Sequence, residues 1–316
     1  MTPRPLGRTG LSATPLMLGG NVFGWTADRK ESFAILDAFV DAGGSLVDTA
    51  DVYSAWVPGN AGGESETLIG DWLRNGGRRD ALLIATKVGL LDGAGGTGLS
   101  ASRIAGAVEE SLRRLGTDAI DIYFAHRDDP ATPLEETLEA FDRLVTTGKV
   151  RVLGASNYAP DRLETALAAS DAHGWARFSV IEPRYNLLDR DTYEGPLQAL
   201  ALREGLAVVP FYALANGLLT GKYRRIEDIA GHPREQYLRP LFERPEVPRL
   251  IAAMEQVAQG SGGSMVSVAI AWMLAQAGVS APIASVSRVS QLGELLAGTS
   301  LALGADQLAL LDGAMA

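Results

Sequence analysis

No cysteine occurs in this chain, which excludes disulfides, thiolate metal sites, cysteine nucleophiles and iron–sulfur ligation together. Histidine is almost as scarce, at 3 residues, too few for a barrel hydrolase built on clustered His and Asp metal ligands. Basic residues are outnumbered, 28 Lys+Arg against 38 Asp+Glu for a formal charge of −10. With no Lys/Arg cluster to neutralise phosphates, no nucleic-acid partner is expected. Long apolar runs are missing as well. The longest, residues 265–275, is broken by Ser267 and falls short of the roughly 20 residues a membrane span requires. The opening stretch MTPRPLGRTGLSATPLMLGG lacks the apolar core of a signal peptide, and no Asn-X-Ser/Thr sequon occurs. A cytoplasmic protein without a membrane partner is expected.

What is present is a chain of 316 residues, 47% of them apolar and 21% charged, able to bury a large core and too apolar for wholesale disorder. Short β-rich apolar runs recur at 16–19, 46–48, 82–88, 120–126, 150–156, 178–182, 206–211 and 282–285, each followed by a segment of helical period. One such segment puts Ile104, Ala107, Val108, Ser111, Leu112 and Leu115 on a single stripe, with Ser100 as N-cap and Gly116 as stop. Pro133 and Pro160 stand where first-turn prolines belong in two others. Eight parallel βα units predict an α/β fold, a closed (β/α)8 TIM barrel forming one domain over 1–316. A doubly wound sheet would need a reversal of winding that the pattern does not show. Residues 1–15, with Gly7, Arg8, Thr9 and Gly10 between short apolar pieces, read as a hairpin closing the barrel's bottom. The polar stretch 222–247, which holds Pro233, Pro240 and Pro245, reads as a long loop at the functional face, either a lid or a surface insertion, with an extra helix following at 265–276. Monomer and assembly are equally compatible with such a barrel.

In barrels of this kind the reacting groups gather at the C-terminal ends of the strands. There the sequence puts Asp48, with Tyr53 shortly after it, then Lys87, His126, Ser156 with Asn157, Glu182 and Phe211. Taken singly, Asp48 reads as a helix cap, Lys87 as a solvated strand end, His126 as a satisfied core imidazole and Asn157 as a turn former. Their joint occurrence favours a site. A Lys and an Asp in one barrel mouth must pair, because an unpaired buried charge is costly. A Tyr beside that Lys should have its phenolate stabilised, bringing its pKa down from about 10 toward the range of a general acid. His126 is able to hydrogen-bond the oxygen of a bound carbonyl, whereas His173, at a helix end, and His232, in the long loop, read as surface residues. Gly93, Gly95 and Gly98 match G-x-G-x-x-G. The strand before them ends near Val88 and the helix begins near Ser100, whereas the dinucleotide fingerprint turns directly from strand into helix, so they read as a loop over the barrel mouth. Gly221 and Lys222 lack the upstream Gly of a Walker sequence.

From LGRTGLSATPLMLGG to PIASVSRVSQLGELL the chain resembles the aldo-keto reductases along essentially its full length. The segments LVDTADVY, IATKVG, DIYFAHRDD, GASNY, IEPRYNLLDR and FYALANGLLTGKY are similar to the family's successive blocks, in family order. Asp48, Tyr53, Lys87 and His126 match its catalytic tetrad. The resemblance implies metal-independent interconversion of an aldehyde or ketone and its alcohol with NAD(P)(H). Hydride is exchanged at nicotinamide C4, Tyr53 supplies the proton, Lys87 paired with Asp48 tunes that tyrosine, and His126 orients the substrate oxygen. It further implies a carboxamide held by Ser156, Asn157 and Glu182, and a nicotinamide ring stacked on Phe211. Tyr212, Ala213, Leu214, Asn216 and Gly217 would follow the pyrophosphate, and Gly20, Asn21 and Val22 the nicotinamide ribose. Ser285, Ser287, Arg288, Gln291 and Glu294 match the adenosine side.

Departures from the family pattern carry their own expectations. Glu182 stands where many members have Gln. Its carboxylate should accept from the carboxamide NH2 and favour the positively charged oxidised nicotinamide, tilting the enzyme toward alcohol oxidation. Where NADPH-using relatives often carry two adjacent basic residues, this chain has Ser287 and Arg288. One Arg is able to hold a 2′-phosphate, so NADP(H) is expected rather than NAD(H). Leu295 replaces an Asn that often follows Glu294. Phe23, Trp25 and Trp56 fall on loops after the first two barrel strands and should wall the pocket for a small-molecule carbonyl or alcohol, the other reading being that a Trp packs its own loop. A function of a different class stays open, because some proteins similar to aldo-keto reductases are cofactor-sensing, non-catalytic barrels that regulate a partner such as a channel. With the hairpin beginning in the first few residues, no inactivating extension is expected ahead of the barrel, which favours the enzyme.

Overall fold

The computed structural model describes residues 2–231 and 235–315; His232 and Pro233 lie outside the described residues. Two short antiparallel strands, β1 (Arg4–Pro5) and β2 (Ser12–Ala13), form the N-terminal hairpin. Eight parallel strands follow: β3 (Met17–Gly19), β4 (Leu46–Asp48), β5 (Leu83–Val88), β6 (Ile120–Ala125), β7 (Val150–Ser156), β8 (Phe178–Glu182), β9 (Ala207–Val208) and β10 (Ile283–Ala284). They are neighbours in chain order, with β10 beside β3. The last seam is closed by backbone hydrogen bonds, from Ser280 N–H to the Val208 carbonyl at 2.8 Å and from Ile283 N–H to the Pro210 carbonyl at 2.8 Å. The sheet therefore has the (β/α)8 form that the recurrence of βα units predicts.

Helices α1 (Arg29–Asp41), α2 (Glu64–Arg74), α3 (Ala101–Leu115), α4 (Leu134–Thr146), α5 (Pro160–His173) and α6 (Pro196–Glu204) alternate with the strands. Their signals are local. Ser100 accepts from the Arg103 N–H at the start of α3, Gly116 takes a left-handed conformation at its end, and the stripe from Ile104 to Leu115 is buried. Pro160 is the first residue of α5, but Pro133 is the N-cap of α4, one place earlier than expected.

The stretch 222–247 is not a long loop. It holds a 3₁₀ turn at Ile226–Ile229 and helix α7 (Glu235–Phe242), and α8 (Val247–Ser261) begins at its end. Charges and prolines hid these elements, yet Leu238 and Leu241 of α7 are buried, and Pro248 occupies the first turn of α8, where a missing N–H costs nothing. Helix α9 (Met265–Ala275) is buried on nearly every side, the reason its sequence is apolar throughout. After β10 come α10 (Leu292–Gly298) and α11 (Ala305–Gly313). Among the described residues no single helix is long and apolar enough to cross a membrane, and α8 meets α9 at 94°.

Two apolar cores result. One lies between strands and helices. The other fills the barrel's interior, where Leu6, Leu11 and Ala13 of the hairpin plug the bottom beneath Met17, Leu46, Ala85, Ile122, Phe124 and Val180. Gly154 makes room for that filling, since a Cβ there would stand 2.4 Å from the Phe124 ring.

Candidate active site

The pleat of the strands builds the site. Leu46, Ala85, Phe124 and Val180 point into the barrel, so the residues two places further on, Asp48, Lys87, His126 and Glu182, point inward one layer higher, at the mouth. Between β7 and β8 the register slips at Leu153/Gly154, re-aiming the end of β7 that carries Ser156. Lys87 Nζ donates to Asp48 Oδ1, to the Thr49 carbonyl at 3.1 Å and to the Tyr53 hydroxyl at 2.8 Å. That hydroxyl donates in turn to Asp48 Oδ2 at 2.8 Å. The His126 ring stands 6.1 Å from the Tyr53 ring. A second carboxyl group reaches the same ammonium, with Glu182 Oε1 3.6 Å from Lys87 Nζ. Asn157 Nδ2 donates to the His126 carbonyl at 2.9 Å, and Ser156 Oγ to the Glu182 carbonyl at 2.9 Å.

Burial dominates the electrostatics. Desolvation pushes Asp48 up, held back by Lys87, and pushes Glu182 well above the ordinary carboxylate range, with Asp48 adding to the rise. His126 is held well below the usual imidazole value by burial and by the Lys87 and Arg127 cations, and is neutral. The expectation that Lys87 brings the Tyr53 phenol down is overturned. Burial first, and then the nearby Asp48 carboxylate, raise it well above its ordinary value, because a dry setting and the adjoining carboxylate outweigh one ammonium.

From Asp48 and Tyr53 a cavity of about 610 Å³ runs past Phe211, Tyr212, Asn216 and Gly217 to Ser285, Arg288 and Gln291. Strained backbone occurs at the barrel mouth, with Tyr212 and Asn216 in the cavity wall. Among the described residues, the non-glycine positions with positive φ are Ser54, Asn157, Tyr212, Ala215 and Asn216, all on loops at the C-terminal ends of strands, where strain is kept for function.

A model of the Aldo/keto reductase family matches residues 15–316. The chain belongs to that family. It is an oxidoreductase of a family that uses nicotinamide cofactors. The uncharacterized oxidoreductase YrpG of Bacillus subtilis (strain 168) is 35% identical over 314 residues, covering 97% of this chain and 94% of YrpG. L-glyceraldehyde 3-phosphate reductase of Escherichia coli O157:H7 is 32% identical over 324 residues, 99% of this chain and 92% of the relative. A probable voltage-gated potassium channel subunit beta of Arabidopsis thaliana is 31% identical over 303 residues, 93% of this chain and 90% of the relative.

Of the residues that the aldo/keto reductase pattern singles out, Asp48 and Tyr53 line the cavity together with Asn21, Phe211, Tyr212, Ala213, Leu214, Asn216, Gly217, Ser285, Ser287, Arg288, Gln291 and Glu294. Others are placed differently. Gly20 is tied to β4 by its N–H, which donates to the Asp48 carbonyl at 2.7 Å, and Val22 is buried in the outer core. Asn157 and Glu182 line a second hollow of about 440 Å³. Phe23, expected on the substrate wall, is fully buried in the outer core, and its carbonyl accepts from Ser54 Oγ at 2.7 Å. Trp56 is 48% exposed, with its ring 6.1 Å from Tyr53 and 5.8 Å from Trp25. Sequence reasoning missed Thr26, Thr220 and Lys222, which also line the cavity. Lys222 was legible as a cation at the end of FYALANGLLTGKY, beside the residues expected along a pyrophosphate. Of the described residues in 222–247, Lys222 alone lines the cavity. No group of three His, Asp or Glu among the described residues is placed to share a metal ion.

Proposed function

We propose that the protein interconverts a small-molecule aldehyde or ketone with its alcohol, using NADP(H) in preference to NAD(H) and Tyr53 as proton donor. One observation carries the reading: Asp48 and Tyr53, both hydrogen-bonded to the buried Lys87, open onto one end of a cavity whose other end holds Arg288. The residues fit a dinucleotide. The volume lies within the usual ligand-pocket range of about 300–1,000 Å³, Phe211 and Tyr212 offer flat faces, and Lys222 and Arg288 offer cations along it. Arg288 makes no ion pair within the described chain, which leaves its guanidinium free for a 2′-phosphate. Ser156, Asn157 and Glu182 would hold the carboxamide.

When bound, the nicotinamide supplies or accepts a hydride. Tyr53 turns its hydroxyl from Asp48 to the substrate oxygen and gives up its proton as charge builds there. Lys87, which donates to the phenol oxygen, stabilises the phenolate left behind. His126, neutral and fixed through its carbonyl by Asn157, offers a hydrogen bond to the same oxygen. Trp25 and Trp56 shield the mouth.

Titration with NADPH and NADH, followed by tryptophan fluorescence, tests the reading. NADPH should bind more tightly, and Arg288→Ala should erase the difference. NADH binding as tightly as NADPH would remove the NADP(H) preference, and binding of neither would remove the cofactor. The likeness to a channel subunit beta supports a second reading, a nucleotide-binding barrel that regulates a partner. Tight nucleotide binding without turnover of any carbonyl would favour it.

A further inference from the structure

Glu182 has chemistry that the reaction above leaves unused. One ammonium, Lys87, stands between two buried carboxyl groups. Asp48 takes the close contact and also receives the Tyr53 hydroxyl. Glu182 Oε1 lies further off at 3.6 Å, and Glu182 Oε2 has no hydrogen-bond partner among the described residues. Among the described residues no second cation acts on it: Arg184, which lines the same hollow, is paired with Asp189 at 2.9 Å. Tyr53, after β4, keeps its proton. His126, after β6, is neutral. On β7, Ser156 is uncharged and donates to the Glu182 carbonyl. On the other side β9 presents Ala207 and Val208. With both carboxyl groups ionised, the buried cluster would hold one negative charge in excess, a strongly unfavourable state away from water. One retained proton removes it, and the carboxyl group with the vacant oxygen and the longer reach to Lys87 is the one to keep it.

We propose that Glu182 is protonated in the nucleotide-free protein and releases that proton to solvent when an oxidised nicotinamide nucleotide binds, whereas the reduced nucleotide binds without release. This rests on the cofactor reading above and deepens it. The step is an acid dissociation: the carboxyl O–H bond breaks, the electron pair stays on the carboxylate, the proton passes to the buffer, and no electron is transferred. The second carboxylate is then balanced by the positive ring instead of by its own proton. A Gln at this position has no proton to lose. Glu182 therefore makes the choice between oxidised and reduced nucleotide depend on pH. Affinity for the oxidised form rises by up to about tenfold per pH unit, and affinity for the reduced form does not. Burial pushing the Glu182 carboxyl well above the ordinary range gives the same direction.

Calorimetric titration of the full-length protein with NADP+ and with NADPH, at neutral pH in two buffers of different ionisation enthalpy, counts the protons. The 2′-phosphate is common to both nucleotides and cancels in the difference. Wild type should release about one proton more with NADP+ than with NADPH, and Glu182→Gln should show no difference. Equal counts in the wild type would overturn the proposal. So would a difference that survives in Glu182→Gln, which would make Tyr53 the source. If that variant does not fold, the wild-type ratio of the two Kd values across neutral pH decides, and a constant ratio overturns the proposal. Binding of neither nucleotide overturns the cofactor reading with it, whereas binding without differential release overturns this inference alone.

Discussion

Tyr53 keeps its proton because a dry setting and the adjoining Asp48 carboxylate oppose its ionisation more strongly than Lys87 favours it. Reduction, which consumes that proton, should therefore hold its rate through neutral pH, while oxidation, which needs the phenolate as acceptor, should speed up as pH rises. Removing the hydroxyl in Tyr53→Phe should lower kcat/KM by about 10²–10⁴ with nucleotide binding retained, as steady-state kinetics beside a fluorescence titration would show. An unchanged kcat/KM would remove Tyr53 as the proton donor. The residues of this cluster were legible in the sequence because strand ends and a period of two suffice to place Asp48, Lys87, His126 and Glu182 in one layer. The direction of the Tyr53 shift was not, since it depends first on how completely the phenol is buried, and no spacing encodes that burial. Phe23 was misread for a related reason: a loop aromatic beside a mouth turns inward when its backbone is pinned, here by Ser54.

Between strands, the elements that carry the reacting groups are held by α3. From its first turn the buried Arg103 donates Nε to the Leu91 carbonyl at 3.0 Å, Nη1 to the Ala94 carbonyl at 3.2 Å and Nη2 to Asp51 Oδ2 at 2.8 Å. One guanidinium thus ties the loop that bears Tyr53 to the loop that follows Lys87. About three turns further along, Arg114 donates to Glu66 of α2 at 2.6 Å, and Glu66 accepts from Thr86 of β5 at 2.6 Å. This explains the glycines that imitate a dinucleotide fingerprint. A Cβ at Gly95 would stand 1.9 Å from the Ser102 carbonyl oxygen, so the run exists to bring the loop down onto α3. Arg103→Met leaves Asp51 and two carbonyls without their donor and should cost about 3–5 kcal/mol in urea unfolding, with a fall in kcat as Tyr53 loosens. A midpoint that does not move would show the tie to be dispensable. At this scale the sequence was readable wherever apolar period and caps agreed, as in the eight strands and α3. It was opaque at 222–247, where α7 shows only Leu238 and Leu241 to the core and carries Pro240 inside it.

Across the whole molecule these buried acids set how stability responds to pH. Asp51 is pushed up to about 7 by burial and by Glu66, and Glu182 is pushed well above its ordinary value. The unfolded chain loses both protons near pH 4, whereas the folded chain still holds them. Their contribution is complete below that pH and is lost as pH rises through the folded values. His126 has the opposite sign, because its folded value is depressed and its contribution is lost only as pH falls below about 6.5. Surface carboxylates lowered by their partners, such as Asp71 beside Arg74 and Glu204 beside Arg177, lose theirs only in stronger acid. Above about pH 6.5, then, the buried carboxyl groups alone among these still titrate. The net charge of −10 adds self-repulsion in the same direction as protons leave. The Tm read by scanning calorimetry should fall between about pH 6.5 and 8, and the Asp51→Asn, Glu182→Gln double variant should flatten the slope. A Tm that rises over that interval would mean that the folded chain does not retain these protons. Saturating oxidised nucleotide should lessen the wild-type decline and reduced nucleotide should not, because a positive ring beside Glu182 takes over the balancing role of the proton that rising pH removes.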